Sequence, residues 1–142
     1  MTKLKEIKFY KTKTIFNSKK NIIKFIKKND KNYMKFGEVY FTWIKKDYLK
    51  GWKFHKKMHM NLIVPVGKIR CFFYDKKTNK KISFSLSDNK SGTLYVPPKI
   101  WFAFQNIDKK KDSLLIAILN ATSINPAREC IDAFSTGKEG LL

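Results

Sequence analysis

The residues from Lys50 to Asp75, KGWKFHKKMHMNLIVPVGKIRCFFYD, restrict what this chain can fold into more than any other stretch. A glycine is followed by Trp52-Lys53-Phe54-His55, an alternating segment whose side chains point to opposite faces of a strand. An apolar run, Met60 to Val66, ends at Gly67, a turn residue, and a second β-rich run, Lys68 to Tyr74, returns from it. Two such runs around a glycine predict a β-hairpin. Both histidines of the chain, His55 and His59, lie here. A functional site is therefore expected in this stretch.

The remaining chain repeats the same grammar. Short β-favouring runs occupy Glu6 to Tyr10 and Thr12 to Phe16. Asn21 to Ile26 is β-branched and short, which favours a strand over a helix. Phe36 to Ile44 alternates after Gly37. Ile82, Phe84 and Leu86 alternate with Ser83, Ser85 and Ser87, behind a polar hairpin tip at Lys76 to Lys81. Thr93 to Val96 is a short strand stopped by Pro97-Pro98, which cannot continue a ladder. Trp101 to Asn106 and Leu114 to Leu119 follow, separated by the charged tip Asp108 to Asp112. Eight to ten short strands with no long helical pattern predict an all-β domain, and a jelly roll limits its exposed edges. Residues 1–142 read as a single domain, with N-terminal strands over 1–30 and an irregular tail over 127–142.

A formal charge of +20 invites a nucleic-acid reading. Yet the basic residues are nearly all lysine, Arg70 and Arg128 being the only arginines, and arginine is the residue suited to bidentate phosphate and guanine recognition. The lysines are also spread along the chain rather than clustered. Nucleic acid is therefore not the expected partner, although so positive a field attracts anionic ligands generally. No apolar run reaches the ~20 residues that span a bilayer, and the N-terminus lacks the apolar core of a secretory signal. A cytoplasmic protein is expected, with Cys71 and Cys130 neither paired nor spaced as metal ligands.

The order GEVYF, KGWKFHKK, NLIVPVGKIRCFFYD and LYVPPKIWFAFQN resembles the RmlC-like cupins over roughly Phe36 to Pro126. That family includes dTDP-4-dehydrorhamnose 3,5-epimerase and the dTDP-sugar 3,4-ketoisomerases. The resemblance implies a cupin jelly roll that needs no cofactor or metal. It also implies a homodimer formed through sheet edges and N-terminal strands, and a nucleotide-sugar substrate, a dTDP-sugar above all, used in surface-polysaccharide synthesis. In the family's first motif an arginine and glycine precede a catalytic histidine. Those positions are Lys50, Gly51 and Lys53, so Lys50 is expected at the pyrophosphate and Lys53 at the general-base position.

A second histidine, which the ketoisomerases carry on the same face, is retained as His55. Lys53 and His55 are thus the catalytic candidates. Lysine serves as a base only when burial or like charge depresses its pKa. Lys57 backs His55, Trp101 is the expected platform for a thymine or sugar ring, and Asn61, Arg70 and Tyr74 are further binding candidates. The sequence departs from the family at Lys50, Lys53 and Met60, the last in place of a lysine or glutamine, and no tyrosine falls in Ala121 to Asn125, where the epimerase proton donor belongs. Met60 and Phe102 also stand where metal-dependent cupins have a glutamate and a histidine. Two functions follow: a 4-keto-sugar-nucleotide epimerase or isomerase with altered proton-transfer groups, or a cupin that binds nucleotide sugars without turning them over. Binding to DNA or RNA through charge alone is the third.

Overall fold

Alternating apolar residues need cover on one face, and this chain supplies it by laying one sheet on another. The structure is a computed structural model that describes residues 3–16, 21–122 and 130–132. After a 3-10 turn at Lys3–Glu6 come β1 (Lys8–Lys11), β2 (Thr14–Phe16), β3 (Asn21–Ile23), β4 (Glu38–Ile44), β5 (Leu49–His55) and β6 (Met60–Val66). Then follow β7 (Lys68–Asp75), β8 (Lys80–Ser87), β9 (Gly92–Val96), β10 (Trp101–Asn106), β11 (Ser113–Leu119) and β12 (Cys130–Asp132). The strands form two five-stranded antiparallel sheets, β1-β9-β6-β11-β4 and β12-β5-β10-β7-β8, with β2 and β3 as a separate hairpin. This is the all-β cupin jelly roll expected from the motifs.

The core lies between the sheets. Leu62, Leu94, Val96, Leu115 and Leu119 of the first sheet meet Ile69, Phe73, Leu86 and Phe104 of the second. Each such side chain, fully buried, contributes roughly 1.5–3 kcal/mol.

The hairpin expected at Gly67 does not form. β6 lies between β9 and β11, whereas β7 lies between β10 and β8 in the other sheet. Gly67 is a corner between sheets. The burial pattern explains the difference: β6 is buried at five consecutive positions, as a central strand covered on both faces must be, while β7 alternates. The hairpin partner of β7 is β8, registered from Lys68↔Ser87 to Asp75↔Lys80 around the polar tip.

Gly67 turns the corner with φ +86°, where a Cβ would collide with the Ser113 side chain. Beside it, Lys68 N donates to Ser113 Oγ at 3.0 Å, and Ser113 Oγ donates to Asn106 Oδ1 at 2.8 Å. Asn106 Nδ2 in turn donates to Ile44 O at 2.9 Å. Two buried polar side chains, Ser113 and Asn106, thus tie the two sheets at one end, and each has its partners.

Two other expectations change in detail. β3 stops at Ile23 rather than Ile26, because the chain turns back so that Phe25 O accepts a hydrogen bond from Thr93 Oγ1 at 2.6 Å. Within the tail expected to be irregular, Cys130–Asp132 pairs with β5, Cys130 opposite His55 and Asp132 opposite Lys53. The rest of that tail lies outside the described residues.

Candidate active site

β5 carries one residue more than its neighbour. Along β10, Phe102 pairs with Lys53 and Phe104 with Lys50, so two steps on β10 match three on β5. Such a bulge is accommodated at the glycine of the Lys50-Gly51-Trp52 segment. In a regular strand, residues three apart face opposite ways. The extra residue brings Lys50 onto the face of Lys53 and His55, and all three line one cavity. Trp52 takes the opposite face and is almost fully buried there.

The cavity, about 280 Å³, lies between the sheets. Its apolar wall comes from Met60, Leu62, Phe102 and Phe104, together with the inward residues of β11. His55 is buried, and its ring meets Phe102 edge-on at 4.9 Å between centroids. An imidazole and two ammonium groups therefore share a small, largely apolar space. Such a space strengthens any interaction with an anionic or carbonyl oxygen placed in it.

From the facing sheet, β4 adds Tyr40 and Thr42. The sequence does not single out these two, because alternation alone would bury Val39, Phe41 and Trp43, which the structure leaves exposed. β4 alternates, so Tyr40 and Thr42 share one face while Val39, Phe41 and Trp43 share the other.

The structure does not bring the other expected residues into this cavity. Asn61 points to the far side of β6, where its Nδ2 donates to Asn32 O at 2.9 Å and its Oδ1 accepts from Asn32 Nδ2 at 2.8 Å. A side chain so engaged closes a loop. Arg70 is exposed on β7, on the face opposite the buried Ile69 and Cys71. Tyr74 donates its hydroxyl to Asn79 Oδ1 at 3.1 Å across the hairpin tip. Trp101 stacks obliquely on Phe54 at 5.1 Å, outside the cavity, and Lys57 lines the same outer cleft. The reason is alternation: Phe54 and Trp101 pair directly across two strands, and Phe54 precedes an inward-facing His55.

His59 also leaves the site. β5 ends at His55, and the chain bends before β6 begins, so the four-residue spacing no longer keeps the histidines on one face. His59 stacks on Tyr95, with Nδ1 and the phenol oxygen 2.6 Å apart. Burial, and secondarily the charge of Lys3, lower its pKa against an opposing pull from Glu6. Burial also pushes the Cys71 thiol up, which makes it an inert core residue. Among the described residues, no three His, Cys, Asp or Glu side chains gather as metal ligands would.

A jelly roll with a histidine and lysines inside, opposite a tyrosine, defines the chain as a cupin of the RmlC-like class. It belongs to the family described as FdtA: WxcM-like, C-terminal, whose model matches residues 3–124. No curated protein matches it. Among solved structures it is similar to a dTDP sugar isomerase from Desulfovibrio desulfuricans, with TM-score 0.84, 20% identity, and 92% of this chain and 85% of that one covered. A mutant of the 3,4-ketoisomerase QdtA from Thermoanaerobacterium thermosaccharolyticum, in complex with TDP-4-keto-6-deoxyglucose, matches with TM-score 0.75 and 19% identity over 95% and 93% of the chains. The dTDP-4-dehydrorhamnose 3,5-epimerase of Sulfolobus tokodaii matches with TM-score 0.77 and 18% identity over 89% and 76%. At these identities the likeness speaks for the fold.

Proposed function

We propose that this protein is a cofactor-independent isomerase or epimerase of a nucleotide-linked 4-keto sugar, a dTDP-sugar by preference. The observation that carries the reading is the convergence of His55, Lys53 and Lys50 with Tyr40 in one cavity. Family membership and the printed activities of the structural neighbours support it.

The chemistry asked of the site is proton transfer at carbon beside a ketone. His55 takes the proton from that carbon, and the C–H electron pair moves into the ring carbonyl to give an enolate. Lys53 and Lys50 offset the charge on that oxygen and on the pyrophosphate respectively. Tyr40 reaches in from the opposite sheet and is placed to return a proton to carbon, the task for which the expected tyrosine was missing. Reprotonation at the same carbon gives an epimer; reprotonation at the former carbonyl carbon, with the proton of the adjacent hydroxyl passing to the enolate oxygen, gives a ketoisomer.

The test is incubation with dTDP-4-keto-6-deoxyglucose in deuterated water. Deuterium uptake at a carbon beside the ketone, with a new product, is expected. A protein that binds the nucleotide sugar without exchange is instead the binding cupin, a reading favoured by lysine at the family's catalytic-histidine position. The reading further places the protein in the cytoplasm, in surface-polysaccharide synthesis. A buried free thiol such as Cys71 is the ordinary state in that compartment.

The same reading makes it a homodimer. β1 and β4 are the two edge strands of the first sheet, and β4 carries the more apolar outward face. Its outward face bears Phe41, 66% exposed, and Trp43, 58% exposed. Monomers seldom leave so apolar an edge uncovered. A second copy on this edge would sit directly behind Tyr40.

A further inference from the structure

The outer side of β5 and β10 carries a second concavity, separated from the first by the sheet itself. Phe54 and Trp101 form its floor, their rings 5.1 Å apart and tilted by 42°. The volume is about 850 Å³, enough for a drug-sized molecule. Among the described residues it shares no lining residue with the inner cavity.

Five lysines surround the floor: Lys56, Lys57, Lys76, Lys77 and Lys99. They come from three separate turns, those that follow β5, follow β7 and precede β10. The fold, rather than one charged run, has gathered them. Lys99 is held with φ +67°, an unusual backbone for a lysine, and its N–H is fixed to His55 O at 2.8 Å. One carboxylate, Asp75, adjoins them. It is buried and accepts Lys77 N at 3.0 Å, so it shapes the turn that presents Lys76 and Lys77. Among the described residues no ion pair neutralises Lys56, Lys76, Lys77 or Lys99.

An aromatic floor with a cationic rim matches one small-molecule chemistry closely: a planar base joined to a phosphate. We propose that this outer cleft binds a nucleoside phosphate, with the base on Trp101 and Phe54 and the phosphates among the lysines. The site is distinct from the catalytic cavity and does not depend on the function proposed for it. Bare anions would use the rim but not the floor, and bare nucleosides the reverse. The cleft asks for both halves in one ligand. Because Phe54 and His55 are consecutive on β5, with opposite faces, a ligand here rests against the strand that carries the proposed base.

Calorimetric titration with dTDP, and separately with AMP, tests this at low salt. Binding that survives Lys50→Ala is expected, since that substitution touches only the inner cavity. Trp101→Ala should weaken the surviving component about tenfold or more, the usual scale of base–aromatic stacking. Trp101→Phe should retain most of it, and controls for folding. A Lys76→Gln, Lys77→Gln, Lys99→Gln triple variant should lose it and lower its salt dependence. Two results overturn the proposal. One is a surviving component that pyrophosphate alone reproduces at equal affinity; the other is the absence of any binding once Lys50 is replaced. Turnover in deuterated water reports on the inner cavity alone, so the two readings fail separately.

Discussion

Lys50 and Lys53 lie three residues apart on one strand and face the same cavity. A bulge at the intervening glycine segment makes this possible, and it sets the polarity of the site. Lys50 is at the start of the strand and His55 at its end, with Lys53 between them. A nucleotide sugar laid along β5 would meet a phosphate-binding charge at one end and a base at the other.

Lys50→Ala should therefore weaken nucleotide-sugar binding by about 1–3 kcal/mol, the range for a charge-assisted contact. Lys50→Arg should preserve or improve it, since the guanidinium fork suits a pyrophosphate better than an ammonium. Isothermal titration with dTDP in a Trp101→Ala background, which weakens the outer cleft, reads the inner-cavity component. Equal affinity there with and without Lys50→Ala would remove Lys50 from the site.

His55→Asn keeps a polar group of similar shape but no base. Turnover and deuterium exchange should disappear while nucleotide affinity stays within about twofold, because an asparagine there leaves the phosphate contacts alone. Tyr40→Phe, which removes only a hydroxyl, should slow exchange about a hundredfold or more, the scale of general-acid catalysis. Thermal melts of both variants establish that they are folded. An active His55→Asn enzyme would refute the assignment.

How far the sequence revealed this arrangement depends on which interaction decides each point. Strand identity and the jelly roll were legible, because alternation at Ile82, Phe84 and Leu86 reports local burial, and burial is what selects the strand. Sheet membership was not. Whether β6 and β7 pair across Gly67 or part company depends on what covers β6 from both sides, and those strands, β9 and β11, lie far along the chain.

The site follows the same division. Lys53 and His55 share a face in any strand, so their common cavity is legible from a two-residue spacing. Trp101, Tyr74 and Arg70 were assigned to the pocket because their faces could not be fixed without the register of β10 on β5 and β7. Asn61 illustrates a different limit. Its partner Asn32 sits in a turn before β4, and nothing in either local sequence announces the pair. Tyr40 was not within reach either, since alternation in β4 would turn the apolar Val39, Phe41 and Trp43 toward the core, and the structure leaves them exposed.

The corner at Gly67 gives a stability test. Alanine there would have to hold a left-handed backbone and also displace Ser113 from its bonds to Lys68 N and Asn106. Each effect alone costs about 1–3 kcal/mol. Gly67→Ala should lower the urea midpoint accordingly, and Ser113→Gly should not rescue it, since the Ser113 Cα still lies 2.9 Å from the new Cβ and the bonds to Lys68 and Asn106 are lost. A Gly67→Ala protein as stable as the wild type would mean that the corner is not strained.

His59 supplies a pH test. Its folded pKa lies below its ordinary 6.5, chiefly through burial and then through Lys3. Above pH 6.5 the imidazole is neutral in both states and contributes no pH dependence. As pH falls from 6.5 toward the lowered value, the unfolded chain binds a proton that the folded one resists. Stability should therefore fall with pH over that window. His59→Gln should flatten the decline in urea titrations, and an unchanged slope would count against the assignment.

β4 closes one side of the first sheet. Among the described residues no further strand lies beyond it in the sheet, and Val39, Phe41 and Trp43 stand in a row on its outward face. A strand with that exposure invites association through backbone pairing and apolar contact together. Because the same strand presents Tyr40 to the cavity from its other face, covering one side would rigidify the other. Light scattering at micromolar concentration should give the mass of two chains. Phe41→Glu with Trp43→Glu should give one, since two carboxylates cannot be buried unpaired without a large desolvation cost. If dimerisation positions Tyr40, the monomeric variant should lose exchange activity through kcat more than through KM. A wild-type monomer, or a double variant that remains dimeric, would move the interface elsewhere.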